Sequence, residues 1–185
     1  RKLMLMCPIR VAATAAVAVL VAGSSVIAAA PSAITGGAPT ASLARAVRVN
    51  PPPPVSPVSP VVGDILARVN AERAARGLAP MRLDDRLVLA AQRHSEDQAR
   101  SGRMSHTGSD GSTLAVRVDR VGYGWRSVAE NVAYGYPDAA AVMAGWMASD
   151  GHRGNILSAN VDLGVGLAYG ADGRPYWTEV FAAPG

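Results

Sequence analysis

The sequence predicts an α+β domain over residues 61–185, with helices first and an antiparallel strand pair last. Three observations predict it. Apolar residues recur at helical spacing in two early segments, over 64–76 and 85–101. Residues Leu163-Gly164-Val165-Gly166-Leu167-Ala168-Tyr169 follow a strand pattern, and Asp172-Gly173 is a hairpin turn ahead of a partner strand, Tyr176 to Phe181. A proline-rich run, Pro51 to Pro54 and then Val55-Ser56-Pro57-Val58-Ser59-Pro60, separates this domain from an N-terminal region of different composition.

That region, residues 1–30, reads as an export signal. Arg1, Lys2 and Arg10 precede an apolar run, Val11 to Ala30, which ends in small residues. Cleavage is expected before Ala29. A retained signal is the alternative, because the run is long enough to anchor the chain in a bilayer. Residues 31–60, rich in Ala, Ser, Gly and Pro, read as a disordered linker.

Charge and cysteine content remove several function classes. The formal charge is +4, but Arg1, Lys2, Arg10, Arg45 and Arg48 all precede Pro51 and no acidic residue does. Residues 61–185 keep 13 basic and 14 acidic residues, a net of −1. A near-neutral domain without a basic stripe makes no electrostatic case for nucleic acid. The lone cysteine, Cys7, lies inside the signal and too early for a lipid-attachment site. The exported domain therefore has no disulfide, no thiolate nucleophile and no zinc–thiolate site.

The elements follow in order. Ile65, Leu66 and Val69 form the apolar stripe of a helix from Asp64 to Arg76, which Gly77 stops. Leu78 to Leu83 is a short extended connection. Asp84 or Asp85 caps a second helix reaching Ser101, with Leu87, Ala90, Ala91 and His94 on one face and Gly102 at its end. His94 reads as a satisfied core histidine rather than a ligand. Residues 105–113 are turn-rich. A short helix is expected from Thr113 to Val121, a strand from Val128 to Tyr134, and a helix capped by Asp138 through Met147.

Three polar residues stand at the ends of separate elements: His106 after a helix stop, Glu130 on the expected strand, and His152 just past a helix. Two imidazoles and one carboxylate make a candidate site for one divalent ion, zinc above all, or for a proton relay. In that reading His106 and His152 are the metal ligands, and Glu130 coordinates or orients a water. The opposing reading is a hydrogen-bonded cluster that ties three segments together. No Ser nucleophile elbow accompanies them. Trp146, Tyr176 and Trp177 read as core and cleft-wall aromatics. Gly164 and Gly166 read as points of close packing against the sheet.

These residues carry a resemblance. The chain resembles the bacterial branch of the CAP superfamily, the SCP-like extracellular domains, through Val69-Asn70-Ala71-Glu72-Arg73, Ser105-His106, Ala129-Glu130-Asn131, Trp146 to Leu157, Gly164-Val165-Gly166 and Tyr176-Trp177-Thr178. The Ser149-to-Leu157 block is the most specific part. The resemblance implies an α–β–α sandwich with a small antiparallel sheet and a central cleft. It implies that His106, Glu130 and His152 are cavity residues, and that the second glutamate of many eukaryotic members is missing. It leaves the function open among a secreted or envelope-associated module that binds a lipid, a glycan or an envelope component, a metal-dependent hydrolase with Glu130 and His152 as its catalytic candidates, and a domain whose cleft is vestigial. Asp150 and Glu179 depart from the usual family residues and are two acids that could restore negative charge near the site.

Overall fold

The computed structural model describes residues 6–12 and 59–185. Apart from Met6–Ala12, the expected export signal lies outside the described residues, as does the linker up to residue 58. The elements are β1 (Met6–Ala12), α1 (Pro60–Ala74), β2 (Arg82–Leu83), α2 (Asp85–Ser101), α3 (Leu114–Arg120), β3 (Trp125–Tyr134), α4 (Ala139–Met147), α5 (Asp150–Ile156), β4 (Asp162–Tyr169) and β5 (Pro175–Pro184). The sheet order is β1-β3-β5-β4-β2. Among the described residues only the short β2–β4 pair is parallel; β1–β3, β3–β5 and β4–β5 are antiparallel. Among the described residues no helix is long and apolar enough to cross a membrane.

Local chemistry sets the helix boundaries. Pro60 starts α1 at a position where its missing N–H costs nothing. The Asp84 carboxylate accepts from the Arg86 amide at the start of α2, and Gly102 ends that helix in the left-handed region at φ 64°. Thr113 and Asp138 cap α3 and α4, each accepting from the amide three residues on. One element was not expected: Asp150–Ile156 is a helix, α5, rather than a loop after α4. Seven residues containing two glycines carry too short a period to read as a helix, and only packing on the sheet makes one.

The sheet separates two cores. On one face Val62, Ile65 and Val69 of α1 and Val142, Met143 and Trp146 of α4 pack on Ala129, Ala133, Trp177 and Phe181. On the other, Leu87 and Ala91 of α2 and Leu114 and Val118 of α3 pack on Val128, Val180 and Ala182. This is the α–β–α sandwich, each strand offering alternate residues to each layer.

The Gly-x-Gly of β4 positions α2. A Cβ built on Gly164 would overlap the Leu87 carbonyl group, and one on Gly166 the Ala91 carbonyl group. The helix backbone thus rests directly on the strand, which is the close packing that the pattern predicted. Both obstructing groups are backbone and cannot rotate aside. Gly166→Ala is expected to cost about 2–3 kcal/mol of unfolding free energy by forcing α2 away from the sheet, measured by urea denaturation with wild type alongside.

Candidate functional site

Glu130 lies at the middle of β3, opposite Val180 of β5, and is fully buried. Strand alternation turns its side chain toward α2 and α3. There one carboxylate oxygen accepts from His106 Nδ1 at 2.6 Å and the other accepts from Arg117 Nη2 at 2.7 Å. Arg117 also donates through Nη1 to the carbonyls of His106 and Ser112, so it clamps the 105–112 turn as well as the carboxylate. His94 Nε2 stands 3.9 Å from the same Glu130 oxygen as His106.

The electrostatics follow from these contacts. Burial pushes the Glu130 carboxyl up, but the His106 bond and the charge of Arg117 outweigh it and hold it below the ordinary carboxylate range. Burial pushes His94 down, more strongly than Glu130 raises it. A neutral His94 donates its Nε2–H to the Ser105 carbonyl at 2.8 Å, which leaves Nδ1 as a bare lone pair. Nδ1 of His94 and Nε2 of His106 are buried and have no partner among the described residues. His106 thus has one nitrogen fixed by a carboxylate and the other uncommitted, the orientation that a ligand-contacting imidazole needs.

A polar scaffold supports the turn that carries His106. Gln98 donates to Thr178 Oγ1 and accepts from the Ser105 amide, and Ser95 donates to the same threonine hydroxyl. Asp97 accepts from both the backbone and the hydroxyl of Ser109. Arg117 went unnoticed in the sequence, although a signal was present. It shares a helical face with Leu114 and Val118, and a basic residue on an apolar stripe implies a buried acidic partner.

The structure divides the predicted trio. His106 and Glu130 meet, whereas His152 lies on α5, whose Ile156 belongs to the opposite core. The next residue of β3, Asn131, shows why. It points to the α5 side, where its amide donates to the His152 carbonyl and to Glu179, and its oxygen accepts from Asn155. Asn155 also donates to the Glu130 carbonyl. The Nδ1 atom of His152 pairs with the Ser149 hydroxyl at 2.7 Å. Adjacent strand residues face opposite layers, so Glu130 and the Asn131–His152 group belong to different sides of the sheet.

This arrangement does not assemble the donor set that zinc needs. Both Glu130 oxygens are engaged, His152 is on the other side, and no group of three or more His, Cys, Asp or Glu among the described residues is placed to hold an ion. Of the two acids singled out by their departure from the family, Asp150 is exposed and pairs with Arg153. Glu179 is fully buried beside Asn131, with Oε1 lacking a partner among the described residues, and burial raises its carboxyl to about 8. Arg153 donates to the Met147 carbonyl and Asn155 to the Glu130 carbonyl, which ties α5 to α4 and β3.

Comparison with known proteins gives the same architecture. The family model described as the cysteine-rich secretory protein family, CAP, matches residues 66–181. The uncharacterized protein YkwD of Bacillus subtilis (strain 168) is 30% identical over 126 residues, covering 68% of this chain and 48% of YkwD. The uncharacterized membrane protein YlbC of the same organism is 33% identical over 118 residues, covering 63% of this chain and 33% of YlbC. The chain therefore spans a third to a half of the length of these curated relatives. Among solved structures, an extracellular protein containing an SCP domain from Bacillus anthracis str. Ames aligns with a TM-score of 0.60 at 30% identity, over 65% of this chain and 39% of that one. An outer surface protein from Borrelia burgdorferi shares the fold, with a TM-score of 0.61 at 17% identity over 65% of this chain and 90% of that one.

Proposed function

Because this chain belongs to the CAP family, we propose that it is an exported, non-catalytic binding module whose ligand seat is the α2–α3 face of the sheet, around His106 and Glu130. One observation carries the reading: Glu130 is fully buried and both of its oxygens are held, by His106 and by Arg117. A carboxylate in that state is a poor general base, because its proton affinity is lowered and it has no free lone pair directed at a substrate. It is well suited to fixing the His106 ring, leaving Nε2 as a single buried acceptor without a partner among the described residues. Support for export comes from the leader composition of residues 1–30 and from the extracellular SCP-domain protein of Bacillus anthracis, at 30% identity.

Isolated Bacillus subtilis cell walls serve as the probe. Wild-type protein is expected to co-sediment with the walls and to release no soluble fragments. His106→Ala, checked for folding by circular dichroism, is expected to lose most of that retention. Release of fragments by wild type but not by His106→Ala would establish a hydrolase instead. Equal retention of the two proteins would remove His106 and its cleft from the binding function.

A further inference from the structure

We propose that the cleft between α2, α3 and the 105–112 turn recognises a phosphate ester, with Arg93, Arg100 and Arg120 at its rim and Arg117 in its wall. The inference rests on the binding-module reading and gives it a ligand class. The cleft has a volume of about 300 Å³, enough for a phosphate and its ester substituent.

Its charge is at odds with the rest of the domain. Residues 61–185 are net −1, yet four of their 13 basic residues converge here against two acids, Asp97 and Asp110. Both acids are already committed. Asp97 accepts from the Ser109 amide, the Ser109 hydroxyl and Arg100; Asp110 accepts from the Ser112 amide and Arg120. These bonds hold both carboxyls below the ordinary range, so they remain anionic and orient two guanidinium groups. Arg93 has no hydrogen-bond or ion-pair partner among the described residues, and Arg100 and Arg120 each use a single nitrogen on their aspartate. These guanidinium groups line one hollow with N–H donors to spare, and planar guanidinium forks suit phosphate oxygens.

A second observation marks the same hollow as a ligand seat. His94 lines it and is 1% exposed, and its Nδ1 lone pair has no partner among the described residues. A purely structural cluster would satisfy that nitrogen. The anionic oxygens of a phosphate ester match the arginines, and its P–OH is a donor of the kind that the His94 nitrogen lacks. Arg103 extends the basic rim into the adjoining smaller cleft, which shares Asp97, Gly108 and Ser109.

The test is calorimetric titration of the full chain with inorganic phosphate at constant ionic strength. Saturable binding is expected, weakened roughly tenfold or more in Arg93→Gln/Arg120→Gln. It should be unchanged in Arg126→Gln/Arg174→Gln, which removes the same charge elsewhere. Equal weakening in both double variants, or no saturation by about 10 mM phosphate, would overturn the assignment. Two competitors separate the sources of the group. Displacement by glycerol phosphate assigns a soluble or polymer-borne ester. Retention on phosphatidylglycerol vesicles, lost in Arg93→Gln/Arg120→Gln and absent on phosphatidylcholine vesicles, assigns a lipid headgroup. Failure of both overturns the ester specificity. Wall retention that depends on His106 in a protein that ignores phosphate would sink this inference alone; loss of wall retention as well would sink both.

Discussion

Arg117→Met is expected to lower the unfolding free energy by about 3–5 kcal/mol at neutral pH. The substitution leaves Glu130 fully buried with one hydrogen bond, from His106, and no full counter-charge in contact. It also releases the carbonyls of His106 and Ser112, so the turn that carries the site loosens. Adding Glu130→Gln removes the stranded charge, and the double variant should recover about half of the loss. The pH dependence carries the sign. In wild type the Glu130 carboxyl is depressed, so its contribution is present above the ordinary carboxylate value and is lost as pH falls through the lowered one. Without Arg117, burial dominates and the carboxyl moves up. The deficit of Arg117→Met relative to wild type should therefore shrink between pH 7 and pH 4. Urea denaturation at the two pH values measures it, and an equal deficit at both would show that the lost packing, not the lost charge, is responsible.

Glu179→Gln is expected to stabilise the protein by about 5 kcal/mol at pH 9 while leaving it nearly unchanged at pH 4. The Glu179 carboxyl stands at about 8 because burial penalises its charged form, opposed only by the bond from Asn131. The folded state keeps a proton that the unfolded chain releases near 4.5. Stability from this group is thus fully present below that ordinary value and is lost as pH rises toward about 8. Glutamine keeps the shape and the acceptor for Asn131 but carries no charge to desolvate. Wild type and variant should give parallel urea curves in acid and diverging ones in base. Parallel behaviour throughout would mean that Glu179 is ionised at neutral pH with a partner compensating it.

Much of the architecture was legible because local chemistry dictates it. Asp84, Thr113 and Asp138 sit where their side chains satisfy the first amides of α2, α3 and α4, and the helices begin there. Asp172-Gly173 joins β4 to β5, and the alternating residues of those strands pair as expected. Gly164 and Gly166 mark the point where a helix lies on the strand. The meeting of His106 with Glu130 also follows from the segments that the sequence singled out. What misled was the assumption that a histidine at a segment end shares the hollow of the nearest strand carboxylate. Glu130 and Asn131 are neighbours in sequence and face opposite layers, and α5 lies over Asn131.

The sequence by itself determined the near-neutral charge of residues 61–185, the order of most helices and strands, and the segments that bring His106 to Glu130. Those properties depend on composition, on periodicity and on residues close together along the chain. Only the tertiary structure decided that Arg117 neutralises Glu130, that four arginines surround one cleft, and that His152 belongs to the other side of the sheet. The reason is geometric. Which helix covers which face of a strand is set by long-range packing of two cores, and a one-residue step along β3 exchanges one for the other.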